Sequence, residues 1–322
     1  MFRILSLDGG GIKGAFTASA LATLEEDTGC RVADHFDLIV GTSTGGVLAL
    51  GLGLGLPARE ILKFYQEKGG RVFPGTSIMQ RAEGWLRQMF KPKHSHDTLR
   101  QALTEVFGDR KLGDSKCRLV ITTYDAIGGR IFLLKTAHHE RFRYDINAPV
   151  VDVALATAAA PTFFAAAPFP QHEGASYVDG GVWANNPSLV GVTEAVAFLG
   201  QRLEDIDVLS IGCTTTPFNI AQHAESGAVQ WNAGFVELMF EAQMEAALAQ
   251  ARLLVGGRVH RINITGKAGE YALDDARPEK IKQLVVLGRG EAVKKANMEV
   301  VRSRFLNGIP AKPFDPIHPV TA

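Results

Sequence analysis

One serine of the chain stands in a setting that suits nucleophilic catalysis. Ser43 is the centre of Gly41-Thr42-Ser43-Thr44-Gly45, a G-x-S-x-G string between an apolar run at 36–40 and a second apolar segment. Between a strand and a helix, this string forms a tight turn that presents the serine hydroxyl at the carboxyl end of the strand, and Gly41 and Gly45 leave room beside it. The pattern predicts a nucleophile for acyl transfer. The structural alternative is an N-capping serine in a glycine-rich turn.

A second glycine-rich turn offers backbone donors. Gly9-Gly10-Gly11-Ile12-Lys13-Gly14 follows the apolar run 2–7 and precedes a helical pattern. Such a turn aims N–H groups at an anion, which is either the oxyanion of acyl transfer or the phosphate of a nucleotide. A dinucleotide site also needs an acidic residue at the end of the second strand, whereas Asp37 stands at its start. Lys13 either adds positive charge near the oxyanion or a lipid phosphate, or is a solvated lysine.

An aspartate is the candidate base. In Tyr177-Val178-Asp179-Gly180-Gly181, Asp179 ends a short β-type run, and Gly180 and Gly181 permit close approach of another backbone or a substrate. A simple Asp-Gly turn is the structural alternative. None of the nine histidines stands in a comparable turn, so the sequence favours no histidine as the base. An aspartate hydrogen-bonded to a serine in an apolar crevice is destabilised as the anion, which makes it a stronger base.

The elements that must position these residues alternate between strands and helices. We predict strands over 2–7, 36–40, 118–124, 130–136, 208–211 and 259–264, with a hairpin at 118–136, and helices over 15–26, 58–67, 98–107, 150–158, 189–199 and 234–254. This order predicts an α/β fold of three layers, α/β/α, with a mostly parallel central sheet. Both glycine turns then lie at the carboxyl ends of neighbouring strands and face one crevice. We expect one domain, in which 201–322 continues a core formed by 1–200.

Composition excludes several classes of protein. The 322 residues are 46% hydrophobic, and 34 basic residues balance 34 acidic ones, so no net field would gather nucleic acid. Three cysteines, Cys30, Cys117 and Cys213, are widely spaced, which argues against a zinc cluster or a disulfide framework. We expect no metal, no organic cofactor and no nucleic-acid partner. The start of the chain lacks the pattern of a signal peptide, and no stretch resembles a membrane span, so we expect a cytoplasmic protein.

Residues 71–100 have the pattern of a membrane-binding helix. They contain Arg71, Arg81, Arg87, Lys91, Lys93 and Arg100 against Glu83 and Asp97. One helical face carries Ile78, Ala82, Trp85, Leu86, Met89 and Phe90. A basic amphipathic helix with Trp and Phe is typical of binding at a lipid interface and could also cover an apolar site as a lid. Packing of that face on the core is the alternative. The expected partner is a phospholipid membrane surface, with the protein peripheral to the inner face.

Two patterns near the C-terminus predict surfaces that pack either on this protein or on a partner. Prolines recur every third residue from Pro310 to Pro319, the period of polyproline II. We expect a docked tail anchored by Phe314 and Ile317, with a partner-binding arm as the alternative. The helix predicted before it carries apolar residues that belong to the core or, alternatively, to the face of a homo-oligomer: Trp231, Phe235, Leu238, Met239 and Leu248.

Together, the three motifs resemble the patatin-like phospholipase family. Asp8-Gly9-Gly10-Gly11-Ile12-Lys13-Gly14, the G-x-S-x-G string and Asp179-Gly180-Gly181 follow that family's order, and 156–164 is similar to its proline-containing block. The resemblance covers about residues 4–199 and implies a patatin-like fold. It also implies that Ser43 is the nucleophile, Asp179 the base of a Ser-Asp dyad, and the turn of Gly9, Gly10 and Gly11 the oxyanion hole. An ordinary α/β-hydrolase differs, since its nucleophile follows several strands and a histidine completes its triad.

The function implied by the resemblance is that of a lipid acyl hydrolase. Phospholipid and water would give free fatty acid through an acyl-Ser43 intermediate. Some bacterial proteins similar to this family are antiphage effectors that stay inactive until a cyclic oligonucleotide binds, which implies a cyclic di- or trinucleotide activator. Two other classes stay open: a nucleotide- or phosphate-binding protein that uses the turn at 9–14, and a lipid-binding module without catalysis. Both predict binding without ester turnover.

Overall fold

The protein folds around one mixed β-sheet. The computed structural model describes residues 1–72, 94–215, 228–267 and 270–320, and only the backbone of 228–237. The strands are β1 (Phe2–Leu7), β2 (Leu38–Thr42), β3 (Arg118–Asp125), β4 (Arg130–Lys135), β5 (Ala167–Pro168), β6 (Ser176–Asp179), β7 (Ile206–Ile211) and β8 (Val259–Ile262). They form an eight-stranded sheet in the order β5-β6-β3-β2-β1-β7-β8, with β4 also paired to β3.

The helices connect and cover these strands. They are α1 (Gly14–Thr28), α2 (Thr44–Gly53), α3 (Ala58–Val72), α4 (His96–Phe107), α5 (Val150–Ala158), α6 (Gly181–Ala184), α7 (Ser188–Ala197), α8 (Ala228–Val255), α9 (Pro278–Ala292) and α10 (Lys295–Val300). Within the sheet, β8, β7, β1, β2 and β3 are parallel to one another. The hairpin of β3 and β4, β6 on β3, and β5 on β6 are antiparallel. The predicted α/β class and mostly parallel sheet are confirmed.

Apolar side chains lie on both faces of the sheet, and helices cover each face. Leu5 of β1 belongs to a core shared with α1, α2, α3, α5 and α9. Its neighbour Ile4 points to the other face and packs with Val192 of α7 and Leu248 of α8. Because successive residues of a strand face opposite sides, a strand buried on both sides is continuously apolar. This arrangement is the predicted three-layer α/β/α architecture.

Strand β3 places two other strands end to end along one edge. β4 pairs with residues 120–125 of β3 and therefore occupies the edge opposite to β2 and β6. On the remaining edge, Thr42 of β2 is opposite Thr122, and Asp179 of β6 is opposite Thr123. Consecutive residues of β3 thus bring the last residue of β2 beside the last residue of β6. The register alone predicts that Ser43, which follows Thr42, lies close to Asp179.

Two of the differences from the sequence predictions have a physical reason that the structure shows. The strand predicted at 36–40 is β2, which begins at Leu38 because the Asp37 carboxylate accepts the Arg3 N–H at 2.8 Å and the chain turns there. Helix α9 was not predicted, since Gly288 and Gly290 weaken its helical pattern. A Cβ atom at Gly288 would lie 2.2 Å from the carbonyl oxygen of Phe16. The glycine therefore permits the close packing of α9 on α1.

The C-terminal segment is docked on the protein, as predicted. Ala311 N–H donates to Asp34 O and Ile317 N–H to Ala137 O, each at 2.8 Å. The Arg118 guanidinium carbon lies 5.3 Å from the centroid of the Phe314 ring, which confirms Phe314 as an anchor. The expectation for Ile317 is wrong, because 51% of this residue is exposed. Its backbone, rather than its side chain, attaches the segment.

Two of the apolar patterns lie wholly or partly outside the residues that the structure describes. The apolar face from Ile78 to Phe90 lies within 73–93, so the lid or membrane helix stays a prediction. The side chains of Trp231 and Phe235 also lie outside. In the C-terminal part of α8, Leu248 is in the core, as expected, whereas Met239 is 54% exposed. In the described part of the chain, no helix is both long and apolar enough to span a bilayer.

Candidate active site

Ser43 occupies a strained turn between β2 and α2. Its φ of 55° and ψ of −124° lie in a region that side-chain-bearing residues rarely adopt. A Cβ atom at Gly41 would lie 2.4 Å from Gly45 O, and one at Gly45 would lie 2.2 Å from Leu7 O. Side chains at these two positions would therefore collide with the backbone. The turn has the geometry of the nucleophile elbow that the string predicted.

Thr157 fixes the backbone of Ser43. The Thr157 hydroxyl accepts the Ser43 N–H at 2.9 Å and donates to the carbonyl of Thr122 at 2.8 Å. It comes from the last turn of α5 and is fully buried. One hydroxyl thus links the elbow to β3, the strand that also aligns β6. The resemblance covered Thr157 only as part of the block 156–164, and nothing in the sequence pointed to this contact.

Asp179 lies beside Ser43 and is hydrogen-bonded to its side chain. The carboxylate is 3% exposed and also accepts the Gly181 N–H at 2.7 Å. Burial raises the pKa of Asp179 to about 7, and the hydrogen bonds from Ser43 and Gly181 only partly offset this effect. At Gly180, a Cβ atom would lie 2.1 Å from the Thr122 hydroxyl, so the turn after Asp179 depends on that glycine. The structure brings the two sequence-predicted residues into contact.

The first glycine turn packs directly against the elbow. A Cβ atom at Gly9 would lie 3.2 Å from Ser43 Cβ, and one at Gly10 would lie 2.5 Å from Cys213 Cβ. Gly11 has a φ of 56°, which favours glycine. A Cβ atom at Gly14 would lie 2.2 Å from the Thr44 hydroxyl, so this glycine permits α1 to contact α2. The N–H of Gly9, however, donates to Asn185 O at 3.0 Å and is already engaged.

Asp8, just before the turn, is held by residues far away in the sequence. The Arg261 guanidinium donates to both carboxylate oxygens, at 2.9 and 2.5 Å, and Asn186 Nδ2 donates at 3.0 Å. Asp8 is 1% exposed. Sequence reasoning missed Arg261 and Asn186, because neither stands in a distinctive pattern and the pairing joins β1 to β8. A bidentate, buried pair of this kind fixes the position of the loop that follows it.

Lys13 extends along the glycine turn. Its ammonium group donates to the carbonyl of Thr214 at 3.1 Å, and its Cε would lie 3.5 Å from a Cβ atom at Gly10. The side chain is half-buried and hydrogen-bonded, so the solvated alternative is wrong. In the residues that the structure describes, no group of three or more His, Cys, Asp and Glu side chains could hold a metal ion.

Known proteins are similar to this chain over most of its length. A family model described as "Patatin-like phospholipase" matches residues 5–190. A "cGAMP-activated phospholipase" of Pseudomonas aeruginosa is 36% identical over 89% of this chain and 83% of its own length. A protein with the same description from Vibrio cholerae is 31% identical over 97% of this chain and 96% of its own length. "Patatin-like protein 2" of Oryza sativa is 29% identical over 89% and 83%, respectively. The chain therefore belongs to the patatin-like phospholipase family.

Proposed function

We propose that the protein is a phospholipid acyl hydrolase in which Ser43 is the nucleophile and Asp179 the base. The observation that carries this proposal is the contact between them: a buried carboxylate hydrogen-bonded to a serine at a strained elbow. A carboxyl group with a pKa of about 7 is matched to proton transfer near neutral pH, which an ordinary aspartate is not. Membership of the family supports lipid ester as the substrate class.

The reaction follows from these positions. Asp179 accepts the Ser43 hydroxyl proton while the serine oxygen attacks the ester carbonyl carbon. The tetrahedral intermediate then expels the alcohol of the lysophospholipid, which receives the proton from Asp179. In the second half, Asp179 takes a proton from water, and the resulting hydroxide attacks the acyl-serine. Fatty acid leaves, and the proton returns to Ser43. The net change is hydrolysis of one ester bond.

The oxyanion donors in this proposal are Gly10 and Gly11. The resemblance implied all three glycines, but Gly9 N–H is already bonded to Asn185. The remaining two N–H groups belong to the turn that packs on Ser43 and begins the 3₁₀ turn Gly11–Lys13. Backbone donors fixed in this way stabilise developing negative charge without reorganisation. The Lys13 ammonium, hydrogen-bonded along the same turn, adds positive charge on that side.

We further propose that a cyclic dinucleotide activates the enzyme. Two relatives described as cGAMP-activated phospholipases align with most of this chain and most of their own length. In this proposal the protein is cytoplasmic, attacks the inner face of the membrane once activated, and serves antiphage defence. The basic amphipathic pattern at 71–100 supports contact with the membrane surface. The domain boundary near 200 and a homo-oligomer stay proposals as well.

The test is release of fatty acid from mixed phospholipid vesicles. Wild type, Ser43→Ala and Asp179→Asn are each assayed with and without cyclic GMP-AMP, cyclic di-AMP and a cyclic trinucleotide. Asp205→Asn, a change at an exposed carboxylate paired with Arg202, is the matched control. We expect turnover in wild type and control, loss in both dyad variants, and stimulation by one nucleotide. Saturable nucleotide or lipid binding by a folded wild type without turnover would favour one of the two non-catalytic classes.

A further inference from the structure

One amide of helix α8 contacts both ends of the short helix α6. Gln243 Nε2 donates to the carbonyl of Gly181, the first residue of α6. Gln243 Oε1 accepts the N–H of Asn185, the residue after α6, at 3.0 Å. Both polar atoms of this half-buried side chain are therefore used on one four-residue element. Gln243 lies beyond residues 5–190, the part of the chain that the family model matches.

Helix α6 needs such an external partner. A helix of four residues leaves most of its N–H and C=O groups without intrahelical partners. The N–H groups of Trp183 and Ala184 donate to the carbonyl of Gly180, the residue before the helix, at 3.1 and 2.9 Å. The side chain from α8 satisfies one carbonyl at the start and one N–H after the end. Helix α8 thus helps to orient α6, together with Thr42 of β2, which donates to the Ala184 carbonyl, and Thr123 of β3, which accepts the Trp183 indole N–H.

Each end of α6 reaches a different part of the catalytic machinery. At the start, the Gly181 N–H donates to Asp179 Oδ1, so the Gly181 backbone orients the carboxylate. At the other end, the Asn185 carbonyl accepts the Gly9 N–H. A Cβ atom at Gly9 would lie only 2.3 Å from Asn185 Oδ1, which shows how closely the two segments pack. The carboxylate turn and the glycine turn are therefore joined through α6.

We propose that Gln243 is a positioning residue that fixes the Asp179 turn and the Gly9 turn relative to each other. This inference rests on the proposed function, since it assigns Gln243 a part in the same reaction. Gln243 does not touch the reacting atoms. It acts through Gly181 on the base and through Asn185 on the oxyanion turn. Helix α8 thereby becomes part of the catalytic framework, although its own sequence carries no motif.

The matched variants are Gln243→Met and Gln250→Met. Methionine keeps the length of the side chain but removes both hydrogen bonds. Gln250 is exposed, lies on the same helix and faces the same side two turns later, so it controls for the substitution itself. For Gln243→Met we expect kcat to fall about tenfold, the effect of losing roughly one to two hydrogen bonds at the site, while KM changes little. We expect Gln250→Met to match wild type.

A pH profile separates positioning from simple loss of stability. In the described structure, burial and the hydrogen bonds from Ser43 and Gly181 determine the shift in the pKa of Asp179, and no charged side chain contributes. Loosening of the Gly181 bond removes one interaction that favours the anion. The acidic limb of kcat/KM should therefore move to higher pH in Gln243→Met. A variant that is merely less stable would keep the acidic limb of the kcat/KM profile at the wild-type pH.

Amide hydrogen exchange tests the same inference without any turnover. In Gln243→Met, exchange should become faster in peptides covering 178–187 and also in those covering 5–12, while Gln250→Met stays at the wild-type rate. Exchange that increases only in 178–187 would overturn the coupling through Asn185. Wild-type exchange together with an unmoved acidic limb would overturn the assignment altogether. Absence of ester turnover in wild type would count against the proposed function, and the exchange data would still decide on Gln243.

Discussion

Replacement of Thr157 by valine tests how the backbone of Ser43, the proposed nucleophile, is held in place. The change substitutes a methyl group for the hydroxyl and keeps the branched shape of the side chain. The lost hydroxyl accepts the Ser43 N–H at 2.9 Å and donates to the Thr122 carbonyl at 2.8 Å. Because Thr157 is fully buried, water cannot replace either bond in the folded protein. Two backbone groups, one of them at the strained elbow, are left without a partner.

The expected magnitude follows from these two contacts. Each buried polar group that loses its partner costs about 1–3 kcal/mol, so the loss of two partners in Thr157→Val should lower the free energy of unfolding by about 2–6 kcal/mol. The rate of turnover should fall by more than the smaller fraction of folded protein would explain. A shift of a reacting group by about 1 Å costs on the order of 100-fold in rate, and the Ser43 backbone has lost the bond that fixes it. We expect kcat to fall roughly 10- to 100-fold.

Urea unfolding and ester hydrolysis measure the two effects, with Thr157→Ser as the control. Serine keeps the hydroxyl and removes the methyl group that faces Gly46, where a Cβ atom would lie 2.8 Å from it. Its cost should be about 1 kcal/mol from lost burial, with turnover close to wild type. If Thr157→Val were as stable and as active as Thr157→Ser, the hydroxyl would not support the elbow and the reasoning would be refuted.

Four other predictions concern the pH response, the elbow and the membrane. Turnover in wild type should rise with pH through about pH 7, because Asp179 accepts a proton only when it is ionised. A pH–rate profile whose acidic limb lies near pH 4 would contradict the raised pKa of Asp179. Because burial raises the pKa of Asp179 in the folded protein, wild type should lose stability as pH rises from about 4 to about 7. This loss should be smaller in Asp179→Asn, where Asp8, whose pKa burial also raises, still contributes, as urea titrations at several pH values would show. Tyr65→Phe removes a buried hydroxyl that donates to Thr44 O at 3.2 Å, beside the elbow. The free energy of unfolding should fall by about 1–2 kcal/mol, and an unchanged midpoint of urea unfolding would argue against the contact. Trp85→Glu should weaken binding to liposomes but spare hydrolysis of a soluble short-chain ester, and equal losses on both would exclude interfacial binding.

The parts of the site that the sequence predicted are local. Gly41, Ser43 and Gly45 form one turn, whose geometry depends on the glycines on either side of Ser43. Asp179 was identified from its place before two glycines, and its contact with Ser43 follows from the shared edge of β3. Continuous apolar runs identified most strands, because the strands of a parallel sheet covered on both faces are apolar at successive residues.

What the sequence did not predict depends on pairs distant in the chain. Arg261 contacts Asp8 across 253 positions, and Gln243 contacts Gly181 across 62. Neither residue type nor spacing marks such contacts, since arginine and glutamine are common on helices and strands. The engagement of Gly9 N–H by Asn185 also depends on how two loops meet. Local patterns therefore pointed to the two proposed reacting groups, while the residues that hold them in place emerged only from the fold.

The central claim, a serine nucleophile activated by an aspartate, is tested most directly by covalent labelling. The protein is treated with a fluorophosphonate ester at several pH values, and intact mass and peptide mapping locate the adduct. We expect one adduct, on the peptide that contains Ser43, with a labelling rate that rises through about pH 7 and falls at least 100-fold in Asp179→Asn. An adduct on another residue, or none in a protein that hydrolyses ester, would contradict the account.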